Sequence, residues 1–227
     1  MDRRAAPNFY KRTNMYGELP EIQTSTGDTI HGFPVQILRP AKTAVLRLPT
    51  NPEMSGYLNQ QKTLYRDLGR RKGQSESVPN PKSDLDLFTR IRIDKGPEFD
   101  EAEAARAIGL LTRQRVTKCE REGETYRVTL LTVFGATEHV VNIPFEKDLA
   151  VYRRTVFKAI DLPHGVEERR YPPEAAERLY DASVVSISGY VDSIKAADVP
   201  PHHKSSIVLE LVSAVGDLDP ELPDPNS

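Results

Sequence analysis

The 227-residue chain is 38 % apolar and 28 % charged, which is apolar enough for a packed core and excludes wholesale disorder. Its 31 basic and 33 acidic side chains leave a formal charge of −2, without the basic excess of a dedicated nucleic-acid binder. One cysteine, Cys119, excludes an internal disulfide and a zinc site built on several thiolates, and no apolar run is long enough to span a membrane.

Residues 1–19 are polar and proline-containing, with Arg3, Arg4, Lys11 and Arg12 interleaved with Phe9, Tyr10 and Tyr16. They read as an extended arm that orders against a partner, and the basic N-terminus lacks the apolar stretch of a signal peptide, so folding in a cytoplasm is expected. The run Ile22–Leu38 is predicted as two strands around a Gly27-Asp28 turn, and Ala44–Leu48 as a third, ended by Pro49. A helix capped by Thr50 or Asn51 follows, with Met54, Tyr57, Leu58, Leu64, Tyr65 and Leu68 at near-helical spacing. Gly69–Pro81, with two glycines and two prolines, reads as a loop. Ser83 is placed to cap a second helix, and Asp100 a third through a capping box with Glu103.

The second half begins again with strands. Val116–Arg121 and Thr125–Val133 flank a Glu122-Gly123-Glu124 turn, and Glu138–Ile143 is a third strand stopped by Pro144. Helices are predicted over 146–158, 172–190 and 201–215, the last two with prolines in their first turns. The last eleven residues, Asp217 to Ser227, hold four acids and no base, and read as a solvated tail.

The two halves share one pattern. Leu48-Pro49 matches Ile143-Pro144, Met54 matches Leu149 and Tyr57 matches Tyr152, each 95 residues on. Val78-Pro79 and Tyr171-Pro172 are 93 apart, and Leu87-Phe88 and Leu179-Tyr180 are 92 apart. The expectation is an α+β fold made by tandem duplication, each unit a three-stranded antiparallel meander followed by two or three helices. The units are 20–113 and 114–216, between the arm at 1–19 and the tail at 217–227. Residues 1–113 carry a net +4 and residues 114–227 a net −6, a polarity that favours head-to-tail stacking of subunits as readily as it reflects scattered surface charge.

Candidate chemistry is sparse. His202-His203 follows Pro200-Pro201 and reads as the first turn of a helix rather than a metal site. His31, His139 and His164 are isolated and are expected on the surface or in strands, and Cys119 is expected to pack as a small apolar side chain. The acids Asp84, Asp86, Asp100, Glu101 and Glu103 fall in early helical turns, where they complement the helix dipole without needing burial. No Walker loop, dinucleotide fingerprint, Gly-x-Ser-x-Gly elbow or His-Glu-x-x-His occurs, and no cofactor is implied. The basic stretch Arg66, Arg70, Arg71 and Lys72 fits a solvated loop, a protein contact or a phosphate contact; absent tryptophan and near-zero net charge argue against nucleic acid.

Two segments carry a resemblance. The Pro-x-x-x-Glu/Asp-x-x-x-Tyr starts (Pro49, Glu53, Tyr57; Pro144, Asp148, Tyr152), the run Ala176–Asp181 and the segment Val199–Ala214 resemble small virion-morphogenesis proteins of long-tailed bacteriophages, the tail-assembly group and its neighbours. The resemblance spans roughly 44–215 and carries over no catalytic residue; the predicted strands depart from the mainly helical tail chaperones. It implies a non-enzymatic structural or assembly component acting through protein contacts, in the host cytoplasm during assembly or in the virion itself. Its partners would be other copies of itself and other virion proteins. The protein-contact candidates are Arg3, Arg4, Phe9, Tyr10, Tyr16, Arg66, Arg70, Arg71 and Lys72. A small enzyme of unassigned chemistry and a nucleic-acid-binding module using loop 66–72 are the alternatives.

Overall fold

The computed structural model describes residues 20–23, 29–38, 41–67, 73–190 and 194–216. The N-terminal arm, the Gly27-Asp28 turn, most of the basic loop and the acidic tail lie outside the described residues. Within them the chain is α+β, with six helices and four small antiparallel sheets.

The first unit opens with β1 (Glu21–Gln23) paired to β2 (Thr29–His31), then β3 (Phe33–Leu38) paired to β4 (Ala41–Leu46). These are two separate two-stranded sheets rather than the expected single meander. α1 (Asn51–Leu58) starts at Thr50, whose side chain accepts from the Glu53 amide in a capping box; Arg47 grips the Glu53 carboxylate at 2.6 and 2.8 Å. α1 stops at Leu58 rather than running on through Leu64 and Tyr65, which instead lie on β5 (Lys62–Asp67). β5 pairs with β6 (Gly73–Val78), so much of the predicted loop is a hairpin. α2 (Pro81–Ile91) is capped by Asn80 rather than Ser83, and α3 (Glu101–Leu111) by the Asp100–Glu103 capping box. Val35, Leu46, Met54, Leu87, Phe88, Ile91, Ala107 and Ile108 are among the residues that close one apolar core.

The second unit has β7 (Gln114–Glu122), β8 (Thr125–Thr132) and β9 (Gly135–Asn142) as a meander, extended beyond β9 by a fourth strand. α4 (Glu146–Thr155) ends before the predicted 158 and is followed by the hairpin β10 (Lys158–Leu162) and β11 (Val166–Arg170), over residues to which the sequence assigned no element beyond Lys158. α5 (Pro173–Ser183) ends where the β-branched pair Val184-Val185 begins β12 (Val184–Ser188), so the predicted 172–190 helix is cut short. α6 (Pro201–Gly216) completes the fold. A second core gathers Tyr126, Val128, Leu130, Leu149, Leu179, Tyr180, Ile207 and Leu211 among others.

The order strand, helix, hairpin, helix occurs in both halves, from β4 to α2 and from β9 to α5. α1 and α4 start at 51 and 146, 95 residues apart; α2 and α5 start at 81 and 173, 92 apart. The isolated bridge Leu46↔Arg92 has its counterpart at the same two spacings in Val141↔Val184, the start of β12. The units meet through polar contacts of α1: Asn51 donates to the Ala197 carbonyl at 2.9 Å, the Ser55 hydroxyl to Glu177 at 3.1 Å and Asn59 to Glu174 at 3.0 Å.

Candidate functional site

Each unit inserts one hairpin between its first two long helices, and the two hairpins join into a single four-stranded antiparallel sheet, in the order β10-β11-β5-β6. The seam between units is β11 on β5, with Arg169 opposite Thr63, Glu168 opposite Leu64, Glu167 opposite Tyr65 and Val166 opposite Arg66. Lys62 reaches diagonally across this seam to Glu168 at 3.1 Å. That contact, joined by Arg170, holds the Glu168 carboxyl below the usual carboxylate range. The Arg169 guanidinium lies 3.4 Å from the Tyr65 ring centroid and 4.4 Å from that of Phe157. Stacking of this kind contributes roughly 0.5–2 kcal/mol.

Among the described residues, no side chain of these four strands is fully buried. The inner strands β5 and β11 are half-buried for most of their length, while every residue of β10 and Gln74–Ser77 of β6 are exposed. Ile160 is 51 % exposed although it sits mid-strand. Both outer strands leave one backbone edge unpaired within the sheet. Unpaired edges are templates for strand addition.

Of the contact candidates read from sequence, only Arg66 lies among the described residues, exposed on β5 between Val166 and Gln74. Arg3, Arg4, Phe9, Tyr10, Tyr16, Arg70, Arg71 and Lys72 lie outside them. The edge residues Glu76, Lys158, Ile160 and Leu162 were missed. Their signal was faint: the alternating Lys158-Ala-Ile-Asp-Leu162, and the parallel between it and Lys62-Thr-Leu-Tyr-Arg66 at a spacing of 96.

A second polar cluster lies inside the second unit. His139 on β9 is fully buried, its Nδ1 2.7 Å from the Tyr180 hydroxyl and its Nε2 3.0 Å from the Thr137 hydroxyl. Tyr190 bonds His203 Nδ1 at 2.9 Å, and the buried Lys204 ammonium donates to Asp181 at 2.7 Å. Burial pushes His139 down to about 4 and His203 to about 2, keeping both rings neutral. With both nitrogens of His139 engaged and no surface exposed, the ring orders a core rather than meeting a substrate. His139 was expected in a strand and is there, packed against the buried Tyr180, while the buried His203 packs against Tyr190. Burial also reaches Asp84 and Glu103, which were expected on exposed turns. Asp84 accepts from Tyr57 at 2.8 Å, burial raising its pKa, and Glu103 accepts from Lys42 at 2.7 Å. Cys119 is half-buried on β7 beside the second core, its thiol pKa raised by burial and away from the reactive thiolate range. No three His, Cys, Asp or Glu side chains converge as metal ligands among the described residues.

No family model matches the sequence, and neither any curated protein nor any solved structure matches it.

Proposed function

We propose that the chain is a non-enzymatic structural or assembly component of a bacteriophage-like particle, of its tail or head-tail region, acting through protein-protein contacts. The observation that carries this reading is the shared sheet. Four strands with no fully buried side chain among the described residues, and with two open edges, are poorly explained as a self-sufficient core, but they are suited to strand pairing with another protein. The motif resemblance around Pro49, Pro144, Ala176–Asp181 and Val199–Ala214 supplies the particle context.

We further infer that the two α+β units arose by tandem duplication. The spacings of 95 for α1 with α4 and 92 for α2 with α5, both met again by the two bridges, support it. In a crystal of the full chain, 41–92 laid on 135–184 should align strand on strand and helix on helix; a helix falling on a strand would end the idea. The functional reading is tested by fractionating particles from the producing culture on a density gradient and quantifying the chain by mass spectrometry. It should travel with particles or assembly intermediates in fixed ratio to other structural proteins. Absence from all such fractions would overturn it.

A further inference from the structure

The two hairpins of the central sheet are equivalent in position. β6 and β11 precede α2 and α5, which fixes their spacing at 92; the hairpin registers, Lys62 opposite Val78 and Lys158 opposite Arg170, then fix β5 and β10 at 96. Under that equivalence Lys158 stands for Lys62, Ile160 for Leu64, and Glu76 for Glu168. The seam inside the chain joins the first strand of one hairpin (β5) to the second strand of the other (β11). It is therefore head-to-tail, not two-fold symmetric. The strands it leaves at the sheet's outer edges are the complementary pair, a second strand (β6) and a first strand (β10).

Resting on the reading of the chain as an assembly protein, we infer that copies of the chain join head to tail through this sheet, β10 of one copy pairing antiparallel with β6 of the next. Repeating the internal seam sets the register: Ser77 faces Ala159, Glu76 faces Ile160, Ser75 faces Asp161 and Gln74 faces Leu162. The diagonal ion pair of the internal seam, Lys62 with Glu168, is then re-created between copies by Lys158 and Glu76. Both are exposed, and neither has an ion pair among the described residues. The aliphatic Ile160, half exposed in one copy, is covered as Leu64 is covered by β11. Each copy offers one edge of each kind, so the contact is heterologous. Such contacts close into rings or continue as filaments.

The new seam lacks one feature of the old. Arg169, stacked between Tyr65 and Phe157, has Ser77 as its counterpart, and Tyr65 has Asp161. The contact between copies is thus weaker than the internal one, and more dependent on its ion pair, so salt weakens it.

The test uses the full chain with Cys119→Ser to remove the native thiol. Ser77→Cys and Ala159→Cys are made in separate chains, mixed and oxidised. A disulfide between the two variants is expected, with none in either variant alone and none when Gln74→Cys, out of register by three residues, replaces Ser77→Cys. In parallel, Glu76→Lys and Lys158→Glu should each weaken self-association about tenfold, and the double reversal in one chain should restore it. Circular dichroism of each variant checks that it folds. Association that ignores both charge reversals and cross-links elsewhere overturns the seam while the assembly reading stands. A chain that stays monomeric yet travels with particles does the same. A chain that is monomeric and absent from particles removes both.

Discussion

His139 is fully buried, with both ring nitrogens held by neutral hydroxyls, and it binds no proton near neutrality. Its folded pKa of about 4 and that of His203 at about 2 lie below the ordinary 6.5. The unfolded chain therefore takes up protons first, so stability is complete above about pH 6.5 and is lost as pH falls toward 4. Each histidine contributes a slope of about 1.4 kcal/mol per pH unit in that window. Glu53, held at about 2 chiefly by its hydrogen bond to Arg47, loses its contribution only below its ordinary 4.5, so the fall between about 6.5 and 4.5 is separate from it. Thermal melts at stepped pH should show a flat region above 7 and a fall beginning near 6.5; His139→Gln should reduce that slope, and an unchanged slope would contradict the assignment. Two glycines, one in each unit, give an independent check. Gly189 has φ +86° and an added Cβ would stand 2.5 Å from the Ala136 carbonyl oxygen, so Gly189→Ala should destabilise by at least the roughly 1–3 kcal/mol of backbone strain. Gly109 sits inside α3 with open space around its Cα, and Gly109→Ala should stabilise by about 0.5–1 kcal/mol. Chemical denaturation of both variants measures the contrast.

The elements that sequence revealed are those with a local cause. Asp100 and Glu103 form the capping box that their spacing implied, the Glu122-Gly123-Glu124 turn joins β7 to β8, and the prolines at 173 and 201 open α5 and α6. The four strands of the central sheet were hidden because they enclose no core, so no alternation was imposed on Gly73–Val78, and Leu64 and Tyr65 satisfied a helical spacing equally well. What holds those strands is a cross-unit stack of Arg169 on Tyr65 and Phe157, which no local pattern encodes. Arg169→Ala should therefore loosen β11 on β5 without melting either core. Hydrogen exchange should show faster exchange over 62–67 and 158–170, with α3, β8 and α6 unchanged; faster exchange everywhere would mean that the sheet is part of the global core. The proposed contact site was legible only in part. Arg66 was found as a basic residue, whereas Glu76, Lys158 and Ile160 gain meaning only once the hairpins are paired.

At the scale of the whole molecule, two units with separate cores are tied by α1 and by one sheet that neither unit could complete alone. Under the proposed seam, the outer strands β6 and β10 of successive copies repeat the inner pairing of β11 with β5, and one chain becomes a segment of a longer assembly. The central claim is that copies of this chain associate with one another through that sheet. Sedimentation velocity of the full chain across a range of concentrations tests it most directly. The account predicts species above the 25.5 kDa monomer that grow with concentration, recede with added salt, and recede further in Glu76→Lys. A single monomeric species at every concentration, identical in the wild type and the variant, would contradict it.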